Sequence, residues 1–249
     1  MPNPWDAGSV RILAGLGFEA FATSSAACAA VLGRRDHRAT RSEAISHVHA
    51  IASATERPVS ADLENGFGDD PATVAETIRM VADAGAAGGS IEDAPRDGDR
   101  PLYDINHATD RIAAAVQAAR SLPFRFTLTA RAENFVRGKP DLDDTVNRLL
   151  SYEKAGADVL FAPALPDLAA MRAICAAASK PVNFMVGVRG KSFTVAELAE
   201  AGVKRISFAS SLYRAAMTRL VDVASEVKNS GTFSYLDHTN PDLNRYLQD

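Results

Sequence analysis

Pro58-Val59-Ser60-Ala61-Asp62 is a short run suited to a β-strand, and Pro71 to Ala84 is a stretch of helical length. The dipeptide Ala84-Gly85 and a second short run, Gly89-Ser90-Ile91-Glu92, complete the unit. A strand returned to its own sheet by a helix must pair parallel, so this stretch decides the fold class. Gly85 falls where glycine closes a helix in the left-handed conformation at little steric cost. The same unit recurs on both sides. Before it lies the run Phe18 to Thr23. After it come Phe124 to Thr129, Asp158 to Phe161, Pro181 to Met185 and Arg205 to Ala209, making seven runs in all. Helical stretches span Asp6 to Leu16, Arg41 to Ala54, Asn106 to Ser121, Leu142 to Ala155, Asp167 to Ala178, Val195 to Ala201 and Leu212 to Lys228, with Ala-Gly again at Ala155-Gly156 and Ala201-Gly202.

With the stretch from Pro71, that is eight helices against seven strands. The missing first strand falls at Met1 to Pro4, short or completed by another segment. The expected fold is a (β/α)8 TIM barrel with a truncated N-terminal strand, formed by residues 1–228. A length of 249 residues suits one such barrel. A doubly wound open sheet is the structural alternative, but its glycine-rich phosphate loop after the first strand is absent. From Asn229 the chain turns polar and irregular, ending in Leu243-Asn244-Arg245-Tyr246-Leu247. Residues 229–249 are expected to be a tail that docks on a neighbour as an oligomerisation arm.

Composition excludes several classes of function. A net charge of −4 without any Lys/Arg run gives no surface for nucleic acid. Two cysteines, Cys28 and Cys175, in Ala-rich helical stretches make neither a disulfide framework nor a zinc site. The opening Met1-Pro2-Asn3-Pro4-Trp5-Asp6 has no signal-peptide character, and no apolar stretch is long enough for a membrane span. A cytoplasmic location is expected.

Catalytic groups of such barrels sit at the carboxyl ends of strands. Those ends are acidic here: Asp62-Leu63-Glu64 closes one run and Ile91-Glu92-Asp93 the next. Alternation along a strand sends Asp62 and Glu64 to one side. Carboxylates converging at one mouth repel unless a cation neutralises them, and an oxygen-only donor set without His or Cys favours Mg2+. Arg131, closing Thr127-Leu128-Thr129-Ala130-Arg131, has the fork to bind a substrate carboxylate through two parallel hydrogen bonds, with Glu133 placed to hold it. Ser24 and Ser25 follow a strand where backbone N–H groups can meet an anion, although a serine helix cap is equally ordinary. Asn183, inside the apolar Val182-Asn183-Phe184-Met185, either contacts substrate or ties a buried network. The five histidines, His37 among them, receive no metal role.

Taken together, Pro2-Asn3-Pro4-Trp5-Asp6-Ala7-Gly8-Ser9, Ala22-Thr23-Ser24-Ser25, Ser60 to Gly68, Ile91-Glu92-Asp93 and Ala130-Arg131-Ala132-Glu133-Asn134-Phe135 resemble the isocitrate lyase/phosphoenolpyruvate mutase superfamily, from residue 2 to about residue 217. The resemblance implies a homodimer or homotetramer that exchanges its eighth, C-terminal helix, and a small α-keto acid or dicarboxylate substrate chelated to Mg2+. It implies Asp62 as principal metal ligand, with Glu64 and Glu92 as outer-sphere carboxylates. Ser24 and Ser25 match the cradle of the substrate carboxylate, Arg131 its guanidinium partner, and Asp36 a mobile active-site acid.

There are departures. Where lyases carry a catalytic thiol, this chain reads Asp93-Ala94-Pro95-Arg96-Asp97-Gly98-Asp99-Arg100, leaving Arg96 and Arg100 as the loop's candidates for catalysis. The Lys and Asn of phosphonate-handling members are absent too. The expected activity is therefore a Mg2+-dependent lyase, decarboxylase or hydrolase breaking a C–C bond beside a keto group in a small keto or hydroxy diacid. The alternatives are a P–C bond enzyme of the phosphonopyruvate type and a non-catalytic keto-acid-binding relative. A Schiff-base aldolase is disfavoured because Lys139, Lys180, Lys191 and Lys204 lie in loops or before strands.

Overall fold

The computed structural model describes residues 1–96, 100–191, 193–239 and 242–247. Among these, the strands are β1 (Phe21–Ala22), β2 (Val59–Asp62), β3 (Gly88–Glu92), β4 (Thr127–Arg131), β5 (Val159–Phe161), β6 (Val182–Met185) and β7 (Arg205–Ser207). They pair parallel in chain order into one nearly closed barrel. The helices are α1 (Ala7–Gly15), α2 (Ser25–Val31), α3 (Arg41–Ala52), α4 (Pro71–Asp83), α5 (Ile105–Arg120), α6 (Leu142–Lys154), α7 (Leu168–Ala177), α8 (Val195–Glu200) and α9 (Ser211–Ser230). Eight of them correspond to the helical stretches expected. The addition is α2, seven residues too short to show a helical period, capped by Ser24 Oγ.

The gap between β1 and β7 is spanned by the segment expected to hold the truncated strand. Ala22 N donates to Pro2 O at 3.0 Å, and the Met1 nitrogen donates to Ile206 O at 2.8 Å. Asn3 links the same two strands through its side chain, giving Nδ2–H to Thr23 O at 2.8 Å and accepting Phe208 N–H at 2.7 Å. A few residues thus complete the ring without forming a regular strand.

Register divides each strand between two faces, because side chains along one row of paired residues point the same way. One set of rows, which includes Ile91, Ala130, Leu160 and Val182, is apolar and buried against the helices. The other faces the barrel interior and is polar. One row runs Asp62, Ser90, Thr129; another runs Glu92, Arg131, Phe161, Asn183, Arg205. The parity that fills the core between sheet and helices therefore leaves a polar lumen.

Two buried networks fix the loops above the strands. Arg111 of α5, with no exposed surface, donates to Gly68 O at 2.9 Å, Asp69 O at 3.0 Å, Glu92 O at 3.1 Å and the Asn65 carbonyl, and lies over the Tyr103 ring. Asp93 accepts from Glu133 N at 2.8 Å, Arg148 Nη1 at 3.1 Å and Tyr152 Oη at 2.6 Å, joining the ends of β3 and β4 to α6.

The carboxyl-terminal helix differs from the others. Trp5 meets Tyr213 edge to face at 5.7 Å near its start, yet α9 has no buried residue, and Leu220 and Val221 are 55% and 63% exposed. Beyond it, two short helical turns, Ser234–His238 and Asn244–Tyr246, bring the chain back to the barrel. The Tyr246 ring lies against Gly15 of α1, so in this structure the tail expected to reach a neighbour touches its own barrel.

Candidate active site

At the carboxyl ends of the strands the polar rows open into a cavity of about 250 Å3. Ser24, Ser25, Asp36, Asp62, Glu92, Arg131 and Asn183, all expected from sequence, line it. Glu64 does not. β2 ends at Asp62, and Glu64 takes a left-handed φ of 50° inside a turn closed by Gly66 N to Leu63 O at 2.7 Å. Alternation holds only while the backbone is extended, so the inference that Asp62 and Glu64 share a face is corrected. Glu64 instead meets His37 Nδ1 at 3.0 Å and Arg96 Nε at 2.8 Å.

Asp62 and Glu92 converge on Arg131. Its Nη1 lies 3.0 Å from Asp62 Oδ1 and its Nη2 3.3 Å from Glu92 Oε2, while Glu133 takes Nε at 3.0 Å and Nη2 at 2.8 Å. The expected support from Glu133 is present. The open fork expected for a substrate carboxylate is not, because protein carboxylates occupy it. Burial opposes the charge on Arg131, but Glu133, Asp62 and Glu92 outweigh it and hold its pKa above the ordinary arginine value. Glu92 is 2% exposed. Burial, then the nearby charge of Glu133, pushes its carboxyl upward despite Arg131, and Arg137 Nη2 lies 3.3 Å from its Oε1.

Among the described residues, no group of three His, Cys, Asp or Glu side chains is arranged to hold a metal ion. What the site offers instead is a pair of cavity-lining carboxyl groups, Asp62 and Glu92, from the adjacent strands β2 and β3. Asp62 is already oriented: its Oδ2 accepts Ser25 N–H at 3.0 Å, and its own N–H goes to Thr23 Oγ1 at 2.9 Å. Ser24 Oγ is spent on the cap of α2, accepting Ala27 N–H at 3.4 Å.

One feature of the mouth was not read from the sequence, and another was read for a different role. His37, left-handed at φ 61°, lines the cavity one residue from Asp36. Its hydrogen bond to Glu64 raises its pKa against the opposing effect of burial. Arg96 donates from Nη2 to His37 O at 2.5 Å and Ala39 O at 2.7 Å, latching this loop to the one after β3. Arg96 was a catalytic candidate; here it is a tie between loops. Asp97, Gly98 and Asp99 of that stretch lie outside the described residues. Histidine and arginine in polar loops carry no periodic signal, so only proximity in the fold reveals them. Neither cysteine is poised as a nucleophile: burial pushes Cys28 up to about 11 and raises Cys175 as well.

Asn183 has no exposed surface, and its two alternative readings meet. Its Nδ2 donates to Ser207 Oγ at 3.0 Å and its Oδ1 accepts Arg205 Nε at 3.0 Å, so it ties a buried network that also lines the cavity. Arg205 is a further unread member of the site; its signal was an arginine opening a strand two residues before an inward-facing serine.

The sequence profile of the phosphoenolpyruvate phosphomutase family matches residues 1–228. A putative lyase/mutase from Burkholderia cenocepacia has a solved structure 50% identical to this chain, with a TM-score of 0.96 over 99% of this chain and 90% of the other. The structure of 2,3-dimethylmalate lyase superposes with a TM-score of 0.88 at 26% identity, over 98% and 87% of the two chains. The 2-methylisocitrate lyase of Escherichia coli is 31% identical over 202 residues, which is 78% of this chain and 67% of that enzyme. With the barrel, the converging strand-end carboxylates and these matches in place, the chain belongs to the PEP mutase/isocitrate lyase superfamily.

Proposed function

We propose that this protein is a Mg2+-dependent lyase, or a decarboxylase or hydrolase of the same chemistry, that breaks a C–C bond beside the keto group of a small α-keto or hydroxy diacid. The observation that carries this reading is the convergence of Asp62, Glu92 and Arg131 from neighbouring strands on one polar cavity. The lyase relatives support the reaction class. The absence of the loop cysteine argues against a thiol as the acid.

A hard divalent ion fits the donors, since Asp62 and Glu92 offer oxygen only and a cation would offset the burial that disfavours the charged form of Glu92. Asp62 would hold the ion, with Glu92 reaching it through water; Glu64 is committed to His37 and Arg96. Bound there, Mg2+ would supply Lewis-acid stabilisation of an enolate. The protein's own groups do the rest. Arg131, locked by Glu133, keeps Asp62 and Glu92 in place, and Ser24 and Ser25 line the side where a carboxylate enters. Asp36 and His37 stand at the mouth as the groups placed to carry a proton. The Arg96 latch holds the His37 loop in place beside that mouth, so these groups are positioned before a ligand arrives.

The test is binding and turnover over a panel of keto and hydroxy diacids with and without Mg2+. The reading expects both to require the ion and to be lost in Asp62→Ala. Tight binding that ignores Mg2+ and survives Asp62→Ala would overturn it, and binding without any turnover would leave the non-catalytic relative. We also propose that α9 packs on a second copy of the chain, because it is long, amphipathic and uncovered here.

A further inference from the structure

Arg205 and Arg131 stand in the same inward-facing row, joined through Phe161 and Asn183, but their surroundings are opposite. Arg131 is enclosed by three carboxylates. Arg205 reaches across the lumen from β7 to β4, donating from Nη1 to Thr129 Oγ1 at 3.0 Å and from Nε to Asn183 Oδ1 at 3.0 Å. Both acceptors are neutral, and among the described residues no acidic side chain pairs with it. Burial alone brings its pKa down to about 10, still far enough up to keep it charged at neutral pH. It lines the active-site cavity and also the recess at the opposite mouth, bounded by Phe21, Pro58 and Thr127, so it forms the floor between them. A partly buried guanidinium held by neutral oxygens has been positioned without being neutralised, and the partner it lacks is an anion.

We propose that Arg205 receives the second carboxylate of the diacid on the floor of the cavity and is the residue that selects diacids over monoacids. This rests on the substrate class proposed above. The group next to the reacting bond is handled at the Asp62 end; Arg205 supplies a fixed positive charge at a distance from it. Asn183, in turn held by Ser207, and Thr129 keep the guanidinium from folding back onto the wall. Arg205 is thus a positioning and specificity residue, with no part in proton transfer.

The experiment compares, with Mg2+ present, binding of the diacids oxaloacetate and malate, the monoacids pyruvate and lactate, and the distal monoamide of malate. Wild type is expected to bind malate at least ~10-fold more tightly than its monoamide, the worth of one charge-assisted hydrogen bond. Arg205→Met is expected to abolish that preference while leaving pyruvate within about 2-fold, and Arg205→Lys to recover part of it. A merely structural arginine would weaken monoacids and diacids in parallel, and that result would overturn the proposal. So would a wild-type protein that binds the monoamide as tightly as malate, a comparison that stands even if Arg205→Met does not fold. If no member of the panel binds wild type, the substrate reading itself fails and this inference falls with it.

Discussion

The residues that hold the strand ends together are few and fully committed, so their removal has definite consequences. Arg111 satisfies four carbonyls in the loops after β2 and β3. Arg111→Met would keep the stem and leave the buried Asn65 and Glu92 carbonyls without this donor, at a cost of at least ~2 kcal/mol when each is worth about 1–3. A urea unfolding curve measures this, and an unchanged midpoint would show that water replaces the guanidinium. Gly88 is required for another reason. A Cβ there would fall 2.6 Å from Thr127 O of the neighbouring strand, a backbone atom that cannot rotate away. Gly88→Ala is expected to destabilise by about 1–3 kcal/mol through overpacking, read as a lower Tm with the cavity's ligand preferences retained. Asp62→Ala acts on function: it frees one Nη of Arg131, and Mg2+-dependent ligand binding should drop by more than ~10-fold in calorimetry.

At the scale of elements, α3 shows how a local sequence signal becomes a measurable pH dependence. Thr40 caps the helix and Glu43 returns the bond to the Thr40 N–H at 2.9 Å. That backbone bond, then the Thr40 hydroxyl and Arg34, hold the Glu43 carboxyl down at about 2. A carboxylate depressed on folding contributes stability above its unfolded pKa of about 4.3. That contribution is lost as pH falls through the folded value. Between pH 5 and 2.5 the Tm of Glu43→Gln is therefore expected to fall less steeply than that of wild type, and parallel slopes would count against the capping box as its source. The box is the local pattern Thr40-Arg41-Ser42-Glu43, which the reading of the sequence passed over. The direction of Glu64 was misread there, since one left-handed residue after β2 turned a strand-alternation argument around.

For the whole molecule, the outstanding question is what covers α9. The helix exposes Leu220 and Val221 where α4, α5 and α6 bury their apolar faces on the barrel. The proposed second copy of the chain, offering the matching helix in exchange, would satisfy that face symmetrically. Light scattering after gel filtration is expected to give a dimer or tetramer, and Leu220→Glu combined with Val221→Glu is expected to shift it to monomer. A monomeric wild type would remove this reading without touching the barrel or its site.

The order of the strands and of the helices other than α2, the parallel sheet and the gathering of Asp62, Glu92 and Arg131 at one mouth were legible in the sequence alone. Each rests on hydrophobic period and on the rule that barrel chemistry gathers at strand ends, both of which are local. The tertiary structure decided what depends on distance across the lumen. It turned Glu64 to His37 and Arg96, filled the fork of Arg131 with three carboxylates, and gave Arg205 only neutral acceptors among the described residues. What a charged side chain meets depends on groups far along the chain: Thr129, which holds Arg205, is 76 residues from it. Only the closed, staggered register of the barrel brings such groups into contact.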